Sequence, residues 1–142
     1  MSTWPGRFFV ILAAIIVCTS CAGSTPAPIS TAGMAGGASA LDGASFDIVL
    51  EMPGEMPEKD TINFAGGKFE SAVCTPLGFP KWTPYLTRAA GGATEFTVIT
   101  RHPAGTVMDW KGSVSGDRVE GIVVRTLDGK VSTGPFKGSR RK

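Results

Sequence analysis

Two different hydrophobic patterns divide the chain. From Phe8 to Val17 every residue is apolar, and a single positive charge, Arg7, precedes the run. From Phe46 onward apolar residues instead alternate with polar ones and glycine pairs interrupt them. The first pattern holds ten residues before Cys18, Thr19 and Ser20 dilute it, whereas a bilayer-spanning helix needs ~20. A short apolar run behind a positive charge predicts the core of a signal peptide over residues 1–20. A buried helix of a folded domain fits less well, because the residues that follow offer it nothing to pack against.

The second pattern predicts strands. Phe46, Ile48 and Leu50 alternate with Asp47, Val49 and Glu51; Ile62 and Phe64 with Thr61 and Asn63; Phe69, Ser71 and Val73 with Lys68 and Glu70. Phe96 and Val98 alternate with Glu95 and Thr97, and Met108 and Trp110 with Asp109 and Lys111. Val119–Val124 is a β-branched run, and Val131–Phe136 a shorter, poorer one. Period 2 places every second side chain on one face, the signature of half-buried strands. Gly66-Gly67, Gly91-Gly92, Gly116-Asp117 and Asp128-Gly129 fall between these runs. Such pairs suit two-residue hairpin turns that need positive φ. The expected fold is all-β: a small up-and-down antiparallel meander of seven or eight strands over residues 44–142. Closing it into a full or partial barrel removes exposed edges; an open β-sandwich is the alternative.

Between the two patterns, residues 22–43 are Gly, Ser, Thr, Pro and Ala with almost no charge. That composition buries too little apolar surface to offset its ordering entropy, so a flexible tether is expected, with a reach of ~25 Å. The whole-chain composition is therefore a composite. Of 142 residues 42% are hydrophobic and 18% charged, with a formal charge of +2. Removing residues 1–20 lowers the apolar share and leaves 13 Lys+Arg against 12 Asp+Glu. A balance so near neutral gives no field for nucleic acid. It conceals an acidic stretch at 42–60 and a basic end at 137–142.

The junction Cys18-Thr19-Ser20-Cys21-Ala22 resembles a lipobox, at which bacterial signal peptidase II cleaves before a lipid-modified cysteine. Thr19 and Ser20 supply the small residues, while Cys18 stands where an aliphatic residue is usual. The resemblance implies Cys21 as the acceptor of acyl chains, and the membrane as a partner through them. Several chains hold firmly where one holds only reversibly. Ala22 after the acceptor implies the outer membrane, facing the periplasm. Cys18 as acceptor, behind bulky Val17, fits less well. Ordinary signal peptidase I cleavage near Ser20–Ala22 would instead leave a soluble periplasmic or secreted protein.

The series Asp60-x-x-x-Phe64-x-x-Gly67-x-Phe69-x-Ser71-x-x-Cys74-x-x-x-Gly78-Phe79, then Pro84-Tyr85 and Trp110-x-Gly112-x-Val114-x-Gly116-Asp117-x-Val119-Glu120-Gly121, resembles a group of small exported bacterial proteins of uncharacterised function. The meander is similar in style to calycin-type barrels, the lipocalins and avidins. Neither resemblance implies an activity.

Candidate chemistry is sparse. With Cys18 removed and Cys21 acylated, Cys74 is a free thiol with no partner for a disulfide; a Cys21–Cys74 bridge is open only if Cys21 is not acylated. Cys74 is either reactive or packed under the adjoining loop, and packing is the expectation. His102 is the sole histidine, in a turn-like His102-Pro103-Ala104-Gly105, with no Gly-x-Ser-x-Gly elbow to make a triad. One His and one Cys cannot furnish a zinc site. Met52 and Met56 in Glu51-Met52-Pro53-Gly54-Glu55-Met56-Pro57-Glu58 are soft donors that could hold Cu(I) with Cys74 or His102, although a polar connecting loop explains the repeat as well. No metal, cofactor or catalytic residue is assigned. Phe79, Trp82, Tyr85 and, from the later strand, Trp110 are the candidate contacts to a ligand or partner, with Phe79–Tyr85 in a long proline-rich loop.

Two functions follow as expectations: a lipid-anchored, non-enzymatic envelope module that binds a small apolar ligand or a protein partner, or an envelope enzyme using Cys74, His102 or the carboxylates of 51–60. A hollow barrel would favour the apolar ligand, and a filled one a module acting through its surface.

Overall fold

The computed structural model describes residues 40–142. The signal peptide, Cys21 and nearly all of the tether read from the sequence lie outside them. Eight strands follow one another: β1 (Ser45–Leu50), β2 (Glu58–Ala65), β3 (Lys68–Ser71), β4 (Thr83–Ala90), β5 (Ala93–Arg101), β6 (Val107–Ser115), β7 (Arg118–Leu127) and β8 (Lys130–Arg140). Each pairs antiparallel with the next, and β8 returns to β1 through Phe46↔Arg140 to Leu50↔Phe136. The result is the closed up-and-down barrel that the alternation predicts, its shortest seam the two-residue pairing of β3 with β4.

The four glycine-containing pairs are the four tight hairpin turns. Both residues of Gly66-Gly67, Gly91-Gly92 and Asp128-Gly129 have positive φ, and Asp128, at 50°, is the only described non-glycine residue that does. A left-handed pair matches the twist of the flanking strands.

One strand shows no such pattern in the sequence. β4 contributes a single buried side chain, Tyr85, among exposed or half-buried neighbours. There is no alternation to read, and Pro84 gives the segment the look of a loop. The loop therefore ends at Trp82, and Tyr85 belongs to the barrel wall, paired with Val98 of β5.

The interior is filled. Phe46, Phe64, Phe69, Phe96, Phe136 and Trp110 are all buried to within 2% of full enclosure. Phe64 sits at the centre of an edge-to-face cluster, with ring centroids 4.9 Å from Tyr85, 5.0 Å from Phe96 and 5.5 Å from Phe69. Trp110 continues it to Phe69 at 5.3 Å and Phe136 at 5.7 Å. These offset and perpendicular arrangements are the favourable ones for aromatic rings. The turn before β1 closes the end of the barrel that holds the Gly66-Gly67 turn. Leu41 is buried there, and the Asp42 carboxylate accepts bonds from the Gly67 amide at 2.9 Å and the Tyr85 hydroxyl at 2.8 Å.

One row of the wall sets glycines against phenyl rings. Register aligns Phe96, Gly112, Gly121 and Phe136 across β5 to β8, and all four positions face inward. A Cβ on Gly112 would stand 2.5 Å from the Phe96 ring, and one on Gly121 would stand 2.1 Å from the Lys111 carbonyl oxygen. The two phenyl rings occupy the space that side chains on these glycines would need.

Candidate functional site

The long connection between β3 and β4, residues 72–82, is held by buried polar groups at its start and by His102 in its middle. Asp60 on β2 is almost wholly enclosed. Its Oδ2 accepts from the Ser71 hydroxyl at 2.6 Å, and its Oδ1 from the Thr61 amide at 2.6 Å and the Val73 amide at 2.9 Å. The Ser71 oxygen in turn accepts from the Cys74 amide at 3.0 Å. This hub turns the chain inward just after β3 and swings Cys74 into the core. In strict alternation Cys74 would share a face with Lys68 and Glu70; the strand ends at Ser71 and the alternation with it.

Cys74 packs against Met108, with 3.7 Å between the sulfurs. Burial pushes its thiol up to about 11; Ser71 pulls the other way, and the negative charges of Asp60 and Glu58 add to the rise. A reactive cysteine needs a lowered pKa and access. Cys74 has neither, and packing explains it.

His102 follows β5, and both of its ring nitrogens are engaged. Nδ1 accepts from the Ala104 amide at 3.0 Å, which leaves Nε2 to donate to the Leu77 carbonyl at 3.0 Å. Phe79 stands edge-on to the imidazole, 5.2 Å between centroids. Gly78, at φ +101°, passes so close that a Cβ there would lie 2.5 Å from Nε2. The imidazole is thus a fastener for the loop, its general-base nitrogen already spent on its own turn.

The carboxylates of 51–60 do not converge. Asp60 holds the Ser71 turn, and Glu55 forms a two-pronged ion pair with Arg125 on β7, its second bond Nη1–Oε2 at 3.2 Å. The guanidinium holds the Glu55 carboxyl below the usual range. Met52 is buried beneath Gly134 while Met56 is 88% exposed, so the two thioethers face apart. Among the described residues no group of three or more His, Cys, Asp or Glu could hold a metal ion.

The four aromatic candidates separate. Trp110 is wholly enclosed and Tyr85 nearly so, and both serve the core. Phe79 is half-buried against His102, and Trp82 alone of the four presents a substantial ring surface to solvent. Around Trp82 the wall is apolar on its outside: Leu77, Leu86 and Ile99 are exposed, as are Pro80 and Pro84. Leu86 and Ile99 escape the sequence reading because each lies at the outward phase of its strand, where period 2 predicts polar residues. Ile122, Leu127 and Val131 are exposed on β7 and β8 as well, and the wall carries shallow grooves beside Val49, Ile122, Pro135 and Lys137 and beside Glu95, Thr97 and Lys111.

The outward positions also exclude one reading of an eight-stranded barrel. Asp47, Lys59, Arg88, Glu95, Lys111, Glu120 and Lys137 face outward while phenyl rings fill the lumen. A bilayer-spanning barrel has the opposite polarity. No protein-family model, no curated protein and no solved structure matches the chain.

Proposed function

We propose that this is a lipid-anchored, non-enzymatic module of the bacterial cell envelope, held to the outer membrane by acyl chains on Cys21, facing the periplasm on the segment 22–43, and acting through its outer surface. One observation carries the choice of surface over interior: six large aromatic side chains occupy the lumen with almost no exposed area. An eight-stranded barrel has an interior just wide enough for side chains to fill or for one small ligand, and here side chains take it. The engagement of His102, the burial of Cys74 and the separation of the carboxylates speak against the enzyme alternative.

The anchor is tested by the intact mass of the protein recovered from a bacterial membrane fraction. The expected mass is that of residues 21–142 plus acyl chains. An unmodified mature chain in the soluble fraction would overturn the anchor and leave a soluble exported protein.

A further inference from the structure

We propose that the face made by β4, the outer side of β5 and the loop 72–82 docks on an anionic lipid bilayer. This deepens the function proposed above, on which it rests for the membrane within reach.

Charge gives the first reason. Between residues 71 and 108 the sequence holds one acidic residue, Glu95, while the other eleven lie outside that span. Glu95 is itself bound by Arg88, at 3.0 Å from Nε and 2.6 Å from Nη2. The same span carries Lys81, Arg88 and Arg101, and Lys68 lies directly across from Pro84 on the neighbouring strand. Neither Lys68 nor Arg101 forms an ion pair among the described residues. The acid-poor area has definite edges. Glu70, in reach of Lys81 at 4.0 Å, has its side chain largely covered, and Asp109, opposite Ile99, pairs with Lys111 at 3.3 Å.

The apolar residues give the second. Leu77, Trp82, Leu86 and Ile99 are exposed by 39 to 65% and all fall in this span. Leu86 lies opposite Thr97, and Ile99 is the next outward residue of β5, so the two are diagonal neighbours on one face. Trp82 and Pro84 lead into Leu86 at the same phase, and the loop that carries Leu77 is tied to the end of β5 by His102.

The mixture of apolar and basic side chains chooses the occupant, since the groove that reaches this face, at Glu95 and at Thr97 opposite Leu86, is only a shallow dent. Here exposed apolar side chains and cations share one face, Lys81 lying 6.0 Å from the Trp82 ring. A bilayer interface receives projecting side chains without a matching shape. It favours tryptophan at headgroup depth, and anionic lipid attracts the basic residues.

The test uses the mature chain proposed above, residues 21–142 without acyl chains, whose emission comes only from Trp82 and from the enclosed Trp110, which no quencher reaches. It is bound to vesicles of phosphatidylcholine alone or with phosphatidylglycerol. With phosphatidylglycerol, brominated acyl chains are expected to quench Trp82 and iodide in the water to lose access to it. Lys81→Glu and Arg101→Glu should each lower the docked-to-free ratio by more than about fivefold, the effect of merely losing one basic residue at such a surface. Leu86→Ser should lower it as well; all three side chains are exposed, so the variants keep the barrel, which Trp110 emission checks. Equal quenching in both lipids, quenching unaffected by the charge reversals, or Trp82 open to iodide on anionic vesicles while covered in the native membrane would each overturn the proposal, the last in favour of a protein partner. Vesicle docking does not require acylated Cys21, and the membrane-fraction mass does not read Trp82, so the two proposals fail separately.

Discussion

Cys74 shows how a single residue takes its chemistry from its neighbours. Its sulfur lies against the Met108 thioether, under a turn fixed by Asp60 and Ser71. The thiol is pushed up to about 11 from an ordinary value of 9, chiefly by burial. At pH 8 the thiolate fraction should be about a hundredfold below that of an unfolded thiol, so alkylation at that pH should follow opening of the barrel and not proceed on the folded state. The stability effect has a definite sign. Below pH 9 the thiol is protonated in both states and its contribution is complete. Between 9 and 11 the unfolded thiol releases its proton while the folded one keeps it, so stability falls as pH rises, by roughly 2 kcal/mol in all. Urea melts of the parent and of Cys74→Ala from pH 8 to 11 measure it as the part of the decline that the variant lacks. A parallel decline in both would mean that the thiol ionises as freely in the barrel as in the unfolded chain.

Strands close into this barrel because particular positions lack a side chain. β7 approaches β6 so closely at Gly121 that a Cβ would meet the Lys111 carbonyl at 2.1 Å and the Gly112 Cα at 2.6 Å. Both are backbone atoms and neither can rotate away. Gly121→Ala should therefore cost about 3 kcal/mol, the upper end of overpacking. Gly129→Ala meets open space and carries only the strain of φ +75°, about 1–2 kcal/mol. Chemical denaturation of the two variants checks the ordering, and an equal loss would show that the wall at Gly121 yields. The same glycines explain which elements are legible in the sequence. β1, β2, β5 and β6 each place large apolar residues at two or more successive inward phases, such as Ile62 and Phe64 or Met108 and Trp110, and read clearly. β8, eleven residues long, reads as a poor fragment, because Gly134 and Gly138 take inward phases and leave Phe136 as its only large inward side chain. β4 is illegible for a related reason, with Tyr85 its single buried residue. The burial of Cys74 escapes too, since it depends on Asp60 bonding the Val73 amide thirteen positions away. The outer apolar face is legible only once pairing brings Leu86 and Ile99 together.

For the whole molecule, the decisive property is whether the barrel is a container or a solid support. Phe69 stands at its middle, wholly buried, with ring centroids 5.5 Å from Phe64, 5.3 Å from Trp110 and 6.4 Å from Phe96. In a solid barrel the parent should bind neither a fluorescent fatty acid nor benzene. Removing this one ring should then do two things at once. Phe69→Ala loses about 3–5 kcal/mol through transfer and cavity terms, and the void it leaves, lined by aromatic rings, should stay dry and take up benzene or xenon. Saturating benzene should restore part of the lost stability, because it binds the folded state alone. The paired measurement is a titration of parent and variant with benzene, followed by thermal unfolding with and without it. Binding to the parent at comparable strength would mean that the lumen opens to ligands after all, and the apolar-ligand alternative would replace the surface module. Binding confined to the variant would place the protein's working chemistry on its outer wall, where Trp82, Leu86 and their flanking cations already stand exposed.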